Sequence, residues 1–463
     1  MLVVGDTLRW DHTSLGGYGR NTTPQLAARA KRGVVLPRAY SQFSVTWPTL
    51  ASLFTGRPFG RLHRAGEFVL LGEATKERAA GLQAGVTTLA ERLAASGVST
   101  IAVVGNPLLR RGGGFDQGFA TYLGTRELAG TEEEALKVDG LLVSRAALEA
   151  IRGARERARD RPFFAWVHYF DPHRPYLPPA EDLAALGLPA TSPAAAIRDG
   201  MARDRSGALA EFAFPEESGW LDGTARARLV ALYDAEVRHF DRALEALLAG
   251  LEREGLLETT DVVVTGDHGE AFYEEGFWGH GMLSKEPEER VPLVLLPAGG
   301  QRPKIADPEA PVSTTDVYFS TLARFAVHAA PDPLALPWTL DLFSGRRFAT
   351  RVFSEGQNVQ VIRDVRHALY RYEGIARHHA AVAARGLLPA ADGLALYDLA
   401  VDPGERRDLF AAEPDRAREI ARDLMAPPLR AFFLESPEGS VVGDAKSLDP
   451  ELERELRALG YLH

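Results

Sequence analysis

Short apolar runs alternate with amphipathic stretches along most of the chain, the pattern of strands covered on both faces by helices. The clearest strand candidates are Leu2–Val4, Thr100–Val104, Phe163–His168, Asp261–Thr265 and Pro292–Leu296, each nearly all apolar. Leu229, Leu232, Val237, Phe240, Leu244, Leu247, Leu248 and Leu251 fall on one helical stripe. That spacing predicts a helix over Leu229–Leu251, with Asp234, Glu236 and Asp241 on its solvated side. Together these units predict an α/β fold, a mainly parallel sheet sandwiched by helices.

From about 178 to 214 the chain is rich in Ala, Pro and Asp without a strong period, which reads as a surface excursion or lid. After Ser344 the pattern changes to short β runs at Thr350–Ser354, Val359–Arg363 and Ala368–Tyr372. A helix over Pro414–Met425 and a tail come next. The expected division is a large α/β domain over 1–344 and a smaller C-terminal α+β domain over 345–463.

Composition narrows the function. With 53 basic against 63 acidic residues the formal charge is −10, which disfavours nucleic acid as a partner. There is no cysteine, so disulfides, thiolate metal sites and cysteine nucleophiles are excluded. No apolar run reaches the roughly 18 residues of a transmembrane segment. The chain enters its first strand directly from Met1, without a charged leader, which predicts a cytoplasmic protein.

In an open α/β sheet, ligands gather at loops beyond the carboxyl ends of the strands. Four polar clusters occupy that context. They are Gly5-Asp6-Thr7, Asp171-Pro172-His173, Gly266-Asp267-His268-Gly269-Glu270, and Gly279-His280-Gly281 with Lys285 shortly after it. Asp267-His268 reads either as a polar turn or as two ligands for one divalent cation. Asp6 offers a third ligand, and two carboxylates with one imidazole are a usual set for a catalytic ion. Thr46, ahead of Trp47-Pro48, reads as the cap of a helix. A hydroxyl there also faces free N–H groups that bind anions, and beside a cation it becomes a usable nucleophile for a sulfate or phosphate ester.

Other polar residues read more plainly. His168, at the end of an apolar strand, is expected to be packed and hydrogen-bonded. His12 and His63 read as surface or supporting groups, and His378-His379 as solvated surface. Tyr397-Asp398 and Asp402–Glu405 read as a structural turn.

Asp6-Thr7-Leu8-Arg9-Trp10-Asp11-His12, then Gly17-Tyr18-Gly19 and Thr23-Pro24, resembles the opening of bacterial sulfatase-like hydrolases of the alkaline phosphatase superfamily. The likeness continues through Val45–Gly56, Trp166–Tyr176, Thr265–Glu270, Gly279-His280-Gly281, Lys285 and Glu289–Leu293. It closes with Leu396–Leu399, Asp402–Glu405 and the tail Leu456–Tyr461. The resemblance implies an alkaline-phosphatase-like core and a single divalent ion held by Asp6, Asp267 and His268. Calcium or magnesium suits the oxygen ligands, and manganese or zinc the imidazole.

Thr46 stands where sulfatases carry the cysteine or serine that matures to formylglycine, so no formylglycine is expected. Threonine as the direct nucleophile is similar to the phosphoethanolamine and phosphoglycerol transferases. His173 matches the family's anion-contacting histidine, Lys285 the lysine that neutralises the ester, and His280 a group near the leaving group. Asn106 and His168 complete the set as substrate contacts. The implied substrate is a small-molecule, glycan or lipid-headgroup ester.

Two departures stand out: Thr7 replaces a second aspartate, and Thr49-Leu50 replaces a polar, cationic pair. They keep an inert ligand-binding relative as one alternative; a phospho-group transferase with the same threonine nucleophile is the other.

Overall fold

The computed structural model describes all residues except 71–79, 191–222, 275–277, 282, 306, 329–331, 333–340, 345–350, 357–358, 373–392 and 427–463. Seven strands form the central sheet. They are β1 (Leu2–Gly5), β2 (Val34–Val35), β3 (Ser99–Val104), β4 (Thr121–Leu123), β5 (Phe163–Tyr169), β6 (Val262–Gly266) and β7 (Leu293–Leu296). Their spatial order is β2-β7-β6-β1-β5-β3-β4. The run β6-β1-β5-β3-β4 is parallel, whereas β7 is antiparallel to both β6 and β2. An apolar run with both faces covered carries no mark of its direction, so the sequence does not distinguish β7 from its neighbours.

Alternate side chains of these strands enter two cores. Leu2, Val4, Val104 and Trp166 pack against α1 (Thr46–Thr55) on one face. Val3, Val103, Val167 and Val264 pack against α2 (Gly140–Arg157) and α3 (Gly223–Arg253) on the other. Every apolar residue of the α3 stripe is buried, as its spacing requires.

The expectation for the other side of α3 is overturned, because Asp234, Glu236 and Asp241 are all buried. That side meets protein rather than water, and each carboxylate is matched by donors. Asp234 contacts His12 Nδ1 at 2.7 Å, accepts from Tyr18 at 2.8 Å and pairs with Arg20. Asp241 accepts the N–H groups of Gln25 and Leu26 at 2.9 and 2.8 Å, so it caps the short helix Pro24–Ala30. Glu236 pairs with Lys137 at 2.9 Å. His12 is accordingly buried, while His63 is half-buried and stacks on Phe59.

The second, antiparallel sheet has the order β8 (Val352–Gly356), β9 (Val359–Arg363), β10 (His367–Tyr372) and β11 (Gly393–Asp398). One face packs on α4 (Pro414–Leu424) through Ile362, Leu369 and Leu396. The other brings Val361, Tyr370 and Tyr397 against Ala271 and Leu283 of the main body. Of the excursion expected over 178–214, residues 191–214 lie outside the described residues, as do His378-His379 and the tail 456–461. The part before 191 holds a short helix, Ala180–Ala185.

Candidate active site

The parallel register brings three strand ends level: Gly5 of β1 lies beside Gly266 of β6 and Tyr169 of β5. Asp6, Asp267 and the 170–176 loop therefore emerge at one edge of the sheet. β7 runs the other way, so the chain that precedes it, with His280 and Lys285, approaches that same edge. Asp6, Asn106, His168, His173, Asp267, His268, His280 and Lys285 are all buried.

Each of the two aspartates has one occupied and one bare oxygen. Asp6 Oδ2 accepts from Asn106 at 2.6 Å and contacts His168 Nε2 at 3.1 Å. Asp267 Oδ1 accepts the backbone N–H groups of Thr7 and His268 at 3.1 and 2.7 Å. Asp6 Oδ1 and Asp267 Oδ2 are buried without a hydrogen-bond partner among the described residues. They lie 3.9 and 3.7 Å from His268 Nε2. His268 Nδ1 contacts the Gly269 carbonyl at 2.8 Å, which places its proton on Nδ1 and turns Nε2 toward the carboxylates. Two orphaned carboxylate oxygens facing one imidazole nitrogen fit a divalent ion, since such oxygens are costly to bury without positive charge. Asp6, His168 and Asp267 form a second possible ligand group, with one donor atom of each within 4.8 Å of the others. There His168 Nε2 is already engaged with Asp6.

Thr46 is the first residue of α1, and Val45 holds the cap position without a side-chain cap bond. The expectation of Thr46 as the cap is thus off by one residue. As a result its hydroxyl is not used for capping, and Oγ1 lies 3.2 Å from His268 Nε2. Leu50, one turn on, packs into the apolar core. Thr7 adopts a φ of 53°, unusual for a β-branched residue, held by its N–H on Asp267 and its carbonyl on the Tyr233 hydroxyl.

Three imidazoles adjoin one another. The rings of His268 and His280 are 4.5 Å apart, and those of His280 and His173 are 5.3 Å apart. Sequence reasoning gives Glu270 no role of its own, although it stands two residues after His268. It contacts His280 Nδ1 at 3.2 Å and Arg174 at 3.3 Å, and accepts from Tyr176. Lys285 is also buried, and its Nζ donates to the Glu405 carbonyl at 3.0 Å above the Tyr397 ring. It thereby joins the site edge to the second sheet, through the turn read from Asp402–Glu405.

Charge is set by these contacts. Burial favours protonated Asp6, yet the hydrogen bond with His168 and the neighbouring imidazoles hold it well below the usual carboxylate range. Burial, then the charge of Asp6, pushes Asp267 up to about 6. Burial pushes His173 down to about 3. Burial and the charge of His268 push His280 down to about 4. Burial would raise Glu270, but its bond with His280 and the charge of Arg174 bring it down to about 2.

A helix-borne hydroxyl thus stands beside a buried carboxylate–imidazole cluster at the carboxyl edge of a mainly parallel sheet, the edge where ligands gather in α/β folds. The sulfatase family profile matches residues 1–326. The chain belongs to the sulfatase family and is a sulfatase-family ester hydrolase.

Solved structures share the fold. One, in complex with its substrate D-glucosamine-2-N,6-O-disulfate, aligns with a TM-score of 0.67 and 16% identity over 93% of this chain and 97% of that one. The phosphonate monoester hydrolase of Agrobacterium radiobacter aligns at 0.63 and 19% over 94% and 95%. That of Silicibacter pomeroyi aligns at 0.61 and 18% over 94% and 96%. No curated protein sequence matches the chain.

Proposed function

We propose that the protein is a metal-dependent hydrolase of sulfate, phosphate or phosphonate esters that uses Thr46 as its nucleophile. The observation that carries this reading is Thr46 Oγ1 at 3.2 Å from His268 Nε2, beside the bare oxygens of Asp6 and Asp267. Asp6, Asp267 and His268 would hold one divalent ion. When bound, it supplies positive charge that favours ionisation of the Thr46 hydroxyl and offsets charge on the ester oxygens.

Thr46 Oγ forms a bond to sulfur or phosphorus as it loses its proton. The bond from that atom to the leaving oxygen breaks, and the departing alkoxide takes up a proton. Water then cleaves the threonine ester, releasing the oxyanion and restoring the hydroxyl. His280 adjoins His268 and His173 adjoins His280, where the two would orient the ester. Lys285 would offset its charge by moving off the Glu405 carbonyl.

The test is turnover of a chromogenic panel of sulfate ester, phosphate mono- and diester and phosphonate ester, with each candidate metal. Thr46→Ala is expected to lose at least about 10³-fold in kcat. Acid-quenched wild type should carry one sulfuryl or phosphoryl group on the peptide containing Thr46. Equal turnover by both proteins would refute the nucleophile. Release that requires an added alcohol acceptor would assign a transferase instead.

A further inference from the structure

The loop after β5 carries His173, and its backbone is gripped by a side chain far from it in sequence. Lys137 lies in the link between the short helix Glu132–Leu136 and α2. Its Nζ donates to the carbonyls of Asp171, His173 and Pro175 at 3.0, 2.8 and 2.6 Å. The same nitrogen lies 2.9 Å from Glu236 Oε1, which accepts the Leu177 N–H at 2.5 Å. Every second residue from 171 to 177 is thus tied to one ion pair. Three N–H donors on a compact ammonium are shared among three converging carbonyls and the Glu236 carboxylate, a cluster that the planar fork of arginine does not reproduce.

The His173 ring is fixed from its own side as well. It stacks on Phe170 at 4.5 Å, and its Nδ1 contacts the Arg174 carbonyl at 2.6 Å. Ring orientation is therefore tied to backbone orientation. The backbone is what Lys137 holds.

We propose that Lys137 is a positioning residue for ester cleavage, fixing the 171–177 backbone so that His173 meets the transferred group. This rests on the placement of His173 in the active site proposed above. A displacement of about 1 Å at such a group is enough to cost ~10²-fold in rate.

The test is steady-state hydrolysis of the best chromogenic ester by wild type, Lys137→Ala, His173→Ala and the double variant. Lys137→Ala should lower kcat by about 10- to 100-fold with KM within about threefold. With His173 already removed, the same substitution should change kcat by less than about twofold. Added methylammonium should restore activity to Lys137→Ala and not to His173→Ala.

An equal loss in both backgrounds, or an unchanged kcat in Lys137→Ala, would overturn the proposal while leaving the active-site reading intact. A fully active His173→Ala would instead sink the placement of His173, and this proposal with it. Should Lys137→Ala fail to fold, Glu236→Gln loosens the same clamp and serves in the same cycle. A loss that persists without His173 again overturns the idea.

Discussion

Asn106 and His168 meet on one oxygen of Asp6, at 2.6 and 3.1 Å, and so leave the other oxygen facing His268. Asp6 is thereby held in a single orientation by groups from two neighbouring strand ends, β3 and β5. Asn106 also accepts the Leu108 N–H at 2.8 Å, so both ends of its amide are engaged within the protein.

That arrangement predicts a graded effect on metal binding. Asn106→Ala, which frees Asp6 to turn, should weaken divalent-ion affinity by about 10- to 100-fold, the usual cost of losing an orienting partner. Asp267→Asn should weaken it further, because it removes a donor charge. Titration calorimetry on metal-stripped protein checks both. Stoichiometric, wild-type affinity in Asp267→Asn would refute the ligand assignment.

His239 predicts a pH dependence of stability. Burial opposes its charge, but Asp139 and Asp182, then Asp171 and Glu236, raise it from 6.5 to about 10. A folded pKa above the unfolded value gives stabilisation that is complete below about pH 6.5. It is lost progressively as pH rises towards 10. Urea unfolding of wild type and His239→Gln across that range should show the gap between them shrinking as pH rises. A constant gap would contradict the charged, doubly bound imidazole.

Arg363 predicts a large loss of stability. It is fully buried on β9, donates to Glu289 at 2.5 Å and to the Ser284 carbonyl at 2.6 Å, and so joins the second sheet to the Lys285 segment. Arg363→Met should destabilise the protein by about 3–5 kcal/mol, since Glu289 is left as an uncompensated buried acid. Adding Glu289→Leu should recover much of that loss. Denaturant unfolding of the single and double variants checks this, and a single-variant change under about 1 kcal/mol would contradict it.

The five main strands and the long helix were legible in the sequence because burial on both faces, or along one stripe, leaves a periodic apolar record. β9 matches its expected bounds, and the closing helix ends one residue earlier than expected, at Leu424. Asp6, Asp267 and His268 were legible for a related reason. They stand directly after apolar runs, and a parallel strand delivers the residues beyond its carboxyl end to the ligand edge.

Other features were not local. Glu236 and Asp234 look like any acids on the polar side of an amphipathic helix, and only the packing of Lys137, His12 and Arg20 against them makes that side interior. The same limit applies to Lys137, whose three carbonyl partners lie more than thirty residues away along the chain.

By itself the sequence determined the element types, the two-faced core and which side chains stand at strand ends, because periodicity and local backbone chemistry govern these. Tertiary structure alone decided the direction of β7, which oxygen of each aspartate is bare, and the meeting of Thr46 with His268. Most of those depend on contacts between segments from tens to hundreds of residues apart, and hydrophobic patterning does not encode hydrogen-bond partners at that range.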